Sequence, residues 1–537
     1  MPTPEFVDFQ RLSASRLFRD YVHHFDALSA FYSGDPRKQE AWARIAEARA
    51  RQSFPTEQVA RCLRRNAERL GSDESAAHNI DAFEAGALVV VSGQQSGLFG
   101  GPLYTLYKAL SAVAHAERAS EWLGTPVVPI FWVAGDDHDF EEVRHAYALD
   151  SDHQLVELSL ALDPSDRRPV GSRTLGEDVL TAIDQLRQTL PDSEFRDEVL
   201  TSLAEDYAVG TGMSEAFARW IARLSRGTGL IIANPTDPEL KSLAAPLFES
   251  ELAQRGRTND IVADTSSRLR NEGYHTQVTV TPDRLNLFYA DPDRLPIAAG
   301  PEGYVLLNDQ RSPLDETALE SHPERFSPNV LLRPLYQDSL FPTLAYVAGP
   351  SELAYFAQIG GLYEHFDIAM PLVVPRASMS FVEPAQRRFI EKHRVDLSAL
   401  NVNDESLLNE LVRQSSLESF DGTWAQVRRC IEESMTRLEE KVGGIDSTLS
   451  ATARKTKGRL LHELKELEKK TLRAAKKNDT TLKRQFEATR NCLFPGFVPQ
   501  ERKLSAFSFL NRYGWHFCRM VRDNIDLDVT AHRVVYL

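Results

Sequence analysis

The stretch "AGDDHDFEEVRH" sets Asp136, Asp137, His138, Asp139, Glu141 and Glu142 directly after an apolar run. Carboxylates beside an imidazole can ligate a divalent metal, or they can hold a substrate ammonium and move protons. One acidic residue at such a point serves to cap a helix, and Asp136 is read in that role; capping does not account for four. His138 and Asp139, with Asp137 beside them, are the expected catalytic groups. A second stretch, "SGQQSGLFGGPLYTLYKAL" (residues 92–110), follows the run "ALVVV". Its glycines permit positive φ and close backbone approach, and a helix start after them offers unpaired N–H groups to a phosphate or carboxylate. Ser92, Gly93, Gln94, Gln95, Gly97, Gly100 and Tyr104 are the expected substrate- or nucleotide-binding residues, the paired glutamines supplying amide donors and acceptors. Lys108, less than two helical turns beyond Pro102, is expected to reach the same ligand. The stretch is neither G-x-x-x-x-G-K-[ST] nor G-x-G-x-x-G, so a ligand-free strand-to-helix turn is the plain alternative. A third stretch, "AGPSELAYF", offers Ser351 as an N-cap and Glu352 in the first turn. Acid at a helix start is ordinary dipole chemistry, but the position at a strand's carboxyl end marks Ser351 and Glu352 as substrate contacts.

The elements that must position these groups read as repeats of one grammar. "ALVVV" (87–91) is a β-branched run suited to a buried parallel strand, and Leu103, Leu106, Tyr107, Leu110 and Val113 recur at helical spacing after Pro102. "TPVVPIFWVAG" (125–135) is the next strand, which completes a βαβ unit. Strand, turn and helix return in 229–252, with Asp237 near the helix start, and strand, helix and strand in 344–380. Between them, "YHTQVTVTPDRLNLFYAD" alternates as a small β-rich insertion does. A doubly wound α/β core interrupted by insertions is the expected fold, with ligands beyond the carboxyl ends of its strands.

The chain has 537 residues and a formal net charge of −15. Residues 451–490 run the other way, with 13 Lys or Arg against 5 Asp or Glu, which is read as a solvated basic helix face rather than a nucleic-acid surface. No apolar run approaches the roughly 18–20 residues of a membrane span, and the N-terminus has no basic-then-apolar leader, so a cytoplasmic protein is expected. Cys62, Cys430, Cys492 and Cys518 lie far apart, which argues against a disulfide framework and a thiolate zinc site. Ile431, Met435, Leu438, Val442, Ile445 and Leu449 alternate at four and three, and Leu460, Leu464 and Leu467 resume one position out of phase. This is a coiled-coil seam broken near Gly443-Gly444 or around 451–458, either folded back on itself or shared between two chains. The organisation expected is a helical segment over 1–85 and a core over 86–385, with insertions at about 150–225 and 255–330. A helical coiled coil over 386–492 and a tail over 493–537 that returns to the core complete it.

The motifs together carry a resemblance. "SGQQSGLFGGPLYTLYKALSA", "PIFWVAGDDHDFEEV", "FSPNVLLRPLYQDSLFPTLAYVAGPSELAYF", "MPLVVPRASMS" and "LFPGFVPQER", in this order, resemble the bacillithiol-biosynthesis cysteine-adding enzyme family over essentially the whole chain. The resemblance implies a Rossmann-like core with connecting-peptide insertions, a coiled coil associated with homodimers, and a ligase that joins cysteine to glucosaminyl-malate. Amide formation needs an activated acyl group, so it implies ATP and a cysteinyl adenylate attacked by the glucosamine nitrogen. The Gly-rich loop would then hold phosphate or carboxylate, and the Asp-His cluster would bind or deprotonate an amine. The chain has neither an H-I-G-H motif nor a K-M-S-K-S loop; "RASMS" (376–380) stands in a comparable position without the lysines. A metal-dependent phosphohydrolase or phosphotransferase, and a non-enzymatic coiled-coil scaffold, are the rival readings of the same features.

Overall fold

The computed structural model describes residues 5–537 apart from 302, 309 and 316, so the first four residues of the N-terminal segment and three positions of the second insertion lie outside the described residues. Five parallel strands form the central sheet: β1 (Leu88–Gln95), β2 (Val127–Ala134), β3 (Ile231–Ala233), β4 (Thr343–Ala348) and β5 (Leu372–Pro375). Their order is β3-β2-β1-β4-β5. Sequence order reverses between β1 and β4, which is where a doubly wound sheet opens a crevice at its carboxyl edge.

The β-branched run dictates this burial. Val89 and Val91 point into one core with Trp132 and Tyr346, and Val90 points into the other with Leu344 and Ala116. Both faces are covered, and each fully buried valine contributes roughly 1.5–3 kcal/mol. Helix α1 (Tyr104–Leu123) runs from β1 to β2 and ends at Gly124 in the left-handed region, φ 65°. Helix α2 (Pro350–His365) follows β4.

Strand β1 extends further than its apolar run indicates. Gly93, Gln94 and Gln95 pair with Trp132, Val133 and Ala134, so "SGQQ" is strand rather than loop. The reason is at Gly93, where a Cβ would lie 2.7 Å from the Trp132 carbonyl oxygen. Glycine here lets two strands approach.

The first insertion is a β-hairpin, His145–Leu149 with Leu155–Ser159, followed by helices Asp178–Thr189, Arg196–Asp206 and Met213–Leu224. The second carries an antiparallel sheet of Arg284–Ala290, Arg294–Gly300, Gly303–Leu306 and Phe326–Pro328. The tail returns as the strand His532–Tyr536, antiparallel to Glu5–Val7.

The chain divides into two units, residues 1–380 with 499–535, and residues 381–498 with 536–537. Within the second, helix α3 (Glu418–Gly443) and helix α4 (Ser447–Asn478) fold back on each other. Arg454 reaches Glu439 at 2.9 Å, and Lys457 donates to Thr436 at 3.0 Å. Asp446 caps α4 by accepting from the Thr448 amide (2.8 Å), so the break falls at 444–446 and residues 451–458 stay helical. The seam is only half closed. Ile431, Met435 and Val442 are half-buried, whereas Leu438 is 47 %, Ile445 82 % and Leu467 53 % exposed. Among the described residues no helix is long and apolar enough to cross a membrane.

Candidate active site

A cleft of about 590 Å³ lies at the carboxyl edge of the sheet. It is lined by the ends of β1, β2 and β4, with the second insertion contributing Phe288, Arg294 and Asn329 and the tail contributing Arg502. Gly93, Gln94, Gln95, Tyr104, Lys108, Asp137, His138, Ser351 and Glu352 all face it.

Lys108, on the second turn of α1, is buried. Its Nζ lies 2.5 Å from Glu352 Oε2 and donates to the Gly93 carbonyl (2.7 Å) and Gln94 Oε1 (3.1 Å). Burial opposes the Glu352 charge, but Lys108, the Gly349 amide and the Tyr346 hydroxyl together hold its carboxyl below the ordinary value. Burial in turn draws the Lys108 ammonium below its usual range, with Glu352 opposing.

At the end of β2, Asp137 Oδ1 accepts from the His138 amide (2.7 Å), and its Oδ2 accepts from Gln95 Nε2 (3.1 Å). Gln95 Nε2 also donates to Glu142 Oε2 at 3.1 Å. His138 Nδ1 stands 3.4 Å from Arg294 Nη1 and 3.5 Å from Asp137 Oδ1. Partial burial and then Arg294 lower its pKa from 6.5, so the ring is neutral at pH 7. Arg294 can only donate and Asp137 can only accept, so the two select opposite tautomers. The tautomer with Nδ1–H toward Asp137 leaves Nε2 as a base.

Several expected roles are corrected. Asp139 is outside the cleft lining and is the N-cap of the short helix Phe140–Val143, accepting from the Glu142 amide at 3.2 Å. The helix starts three residues later than an Asp136 cap requires. Asp136 instead lines the cleft and accepts from Lys241 Nζ at 2.7 Å, a lysine only 1 % exposed. Ser351 is not a cap, because α2 is capped at Gly349; it sits exposed in the first turn.

The groups of Ser92, Gly97 and Gly100 expected to cradle an anion are instead engaged by protein. Ser92 Oγ donates to the Val347 carbonyl (2.9 Å). Tyr207 hydroxyl accepts from the Gly100 amide (2.9 Å) and donates to the Gly97 carbonyl (3.0 Å), and the Leu103 amide donates to Leu504 (2.8 Å). Gly100 has φ 88°, and a Cβ there would lie 2.5 Å from Trp220 Cδ1. These glycines serve packing.

Lys108 apart, positive charge in the cleft comes from residues that local spacing does not reveal. Arg376 pairs with Glu501 at 2.8 Å, and Arg294 lies 3.6 Å from Asp137. Arg333 donates to the Tyr355 hydroxyl (2.9 Å) and Gln337 Oε1 (3.3 Å). Arg333, Arg376 and Arg502 stand in "LLRPLYQ", "RASMS" and "PQER", stretches conspicuous in the sequence for their motifs rather than for these side chains.

Comparison with known proteins gives a consistent result over the chain. Residues 4–377 match the N-terminal Rossmann-like domain of bacillithiol biosynthesis BshC, and residues 379–537 match its C-terminal coiled-coil domain. A Salinibacter ruber protein named "Putative cysteine ligase BshC" is 35 % identical over 531 residues, covering 97 % of this chain and 96 % of its own. Proteins of the same name from Symbiobacterium thermophilum and Chlorobium phaeobacteroides are 33 % and 32 % identical, each covering at least 93 % of both chains.

Proposed function

Because the chain belongs to the bacillithiol biosynthesis BshC family, we propose that its cleft joins L-cysteine to glucosaminyl-malate through an amide bond. The observation that carries this reading is the composition of one cleft: His138 beside Asp137 and Glu142, together with Arg333, Arg376 and Arg502. A carboxylate and an amine do not condense unaided in water. The carboxyl must carry a leaving group, and the amine must shed one proton as the carbon–nitrogen bond forms.

His138 Nε2 accepts that proton in this reading, with Asp137 holding the opposite ring nitrogen. Asp137 and Glu142 suit the ammonium of an amino acid. Arg333 and Arg502 suit carboxylates or phosphates, for which the guanidinium fork is matched. ATP is the proposed source of activation; Arg376 and Arg502 fit its phosphates, and when bound it supplies the leaving group that the cysteine carboxylate lacks. A divalent metal forms no part of the proposal, because Asp136 and Asp137 are directed at Lys241, Arg294 and backbone N–H groups rather than at one point.

Pairing of two copies through the helical hairpin belongs to the same proposal, supported by the apolar side chains of Leu438, Ile445 and Leu467 left in solvent. The activation step is tested by quantifying nucleotide products in the presence of both substrates. Release of AMP and pyrophosphate with conjugate supports it; conjugate formed equally without nucleotide contradicts it.

A further inference from the structure

We infer that Glu501 is a positioning residue of the cleft, acting through Arg376, so that the C-terminal segment completes a site otherwise built by the sheet, its helices and the second insertion. Arg376 directly follows β5, and its amide donates to the Ala348 carbonyl (2.9 Å) at the end of β4. This fixes its backbone at the crevice. The guanidinium lies 5.2 Å from the centre of the Tyr104 ring, and both residues line the cleft.

Glu501 is 3 % exposed, and both of its oxygens are engaged. Oε1 accepts from Arg376 Nη2 (2.8 Å) and Ser378 Oγ (3.1 Å), and Oε2 accepts from the Met379 amide (3.0 Å). One carboxylate therefore grips three residues of a segment more than 120 positions earlier in the chain. His532, from the final strand, adds a second hold, with Nδ1 2.8 Å from Ser378 Oγ and Nε2 2.9 Å from Ser380 Oγ.

An arginine side chain has many rotamers, and a buried one seeks a carboxylate. Glu501, together with the Ala377 carbonyl that accepts from Nη1 (2.7 Å), keeps the Arg376 fork over Tyr104, where it meets the anionic part of a ligand.

The inference rests on the ligation reading, and kinetics separate the two. In steady-state assays of conjugate formation, Glu501→Gln keeps the shape but not the charge, Glu501→Asp keeps the charge, and Arg376→Lys keeps the pair but not the fork. Positioning predicts a KM raised roughly ten-fold or more in Glu501→Gln and Arg376→Lys, the loss of a charge-assisted contact. It also predicts kcat per folded molecule within about three-fold, and Glu501→Asp closer to the unsubstituted protein. A merely structural Glu501 lowers the folded fraction, and so the apparent kcat, at unchanged KM; that result overturns the inference. If Glu501→Gln does not fold, an unchanged KM in Arg376→Lys overturns it equally. An unsubstituted protein that forms no conjugate overturns the ligation reading, and this inference with it.

Discussion

Lys108 Nζ and Glu352 Oε2 lie 2.5 Å apart at the switch point of the sheet, joining α1, which follows β1, to α2, which follows β4. The same ammonium donates to the Gly93 carbonyl and the same carboxylate accepts from the Gly349 amide. The pair thus ties together the two strand ends between which the crevice opens.

Breaking that pair should cost more than removing it. Lys108→Met or Glu352→Gln alone leaves an uncompensated, nearly buried charge and is expected to destabilise by about 3–5 kcal/mol. The double variant should recover part of that loss, because the two sites are coupled. Denaturant titrations of the three variants check this; additive losses would show the ion pair to be incidental.

His138 should govern the acid limb of activity. Its folded pKa lies below 6.5, so the neutral form, and with it activity, persists below that value and is lost as pH falls through the depressed pKa. Arg294→Gln removes a positive charge 3.4 Å from Nδ1 and is expected to move the limb to higher pH. His138→Ala should cost roughly 10²–10⁴-fold in turnover, the usual worth of a general base. A pH–rate profile of each variant decides.

Asp137 and Asp139 should behave differently despite their adjacency. Asparagine caps helices well, so Asp139→Asn is expected to retain activity and stability. Asp137→Asn removes the negative charge 3.5 Å from His138 Nδ1 and should lower turnover at least ten-fold. Equal effects in kinetic assays would contradict the assignment.

Glu251 predicts a pH-dependent stability. It is fully buried, and burial raises its carboxyl from 4.5 to about 7. The folded protein therefore binds more protons than the unfolded chain between those values, and stability falls as pH rises across that window. Glu251→Gln should flatten this slope in melting temperatures measured from pH 5 to pH 8. Parallel slopes would assign the dependence to other groups.

The hairpin offers a test of association. Leu438→Glu with Leu467→Glu places charge on the exposed apolar positions of α3 and α4. Sedimentation should show dimers of the unsubstituted protein converted to monomers; an unchanged state places association elsewhere.

Much of this architecture was legible because it is local. β-branched runs, helical spacing after Pro102 and the alternation near residue 285 each specify an element within a few turns of chain. The limits are equally physical. Gly93 looks like a loop glycine until Trp132 is seen against it, and the cap shifts from Asp136 to Asp139 because the helix begins three residues later. The satisfaction of the Gly100 amide by Tyr207, and the grip of Glu501 on Arg376, depend on residues more than 100 positions apart. No spacing rule reports such partners. The heptads marked a coiled-coil seam, but neither that α3 and α4 fold back on each other nor that about half of their apolar positions stay in water.

The most direct measurement is mass spectrometry of the purified protein incubated with glucosaminyl-malate, L-cysteine and ATP, alongside His138→Ala and a nucleotide-free control. The account predicts a conjugate heavier than glucosaminyl-malate by one cysteinyl residue, formed by the unsubstituted protein only with ATP, and by His138→Ala at a rate lower by roughly 10²-fold or more. Absence of that conjugate, or its undiminished formation by His138→Ala, would contradict it.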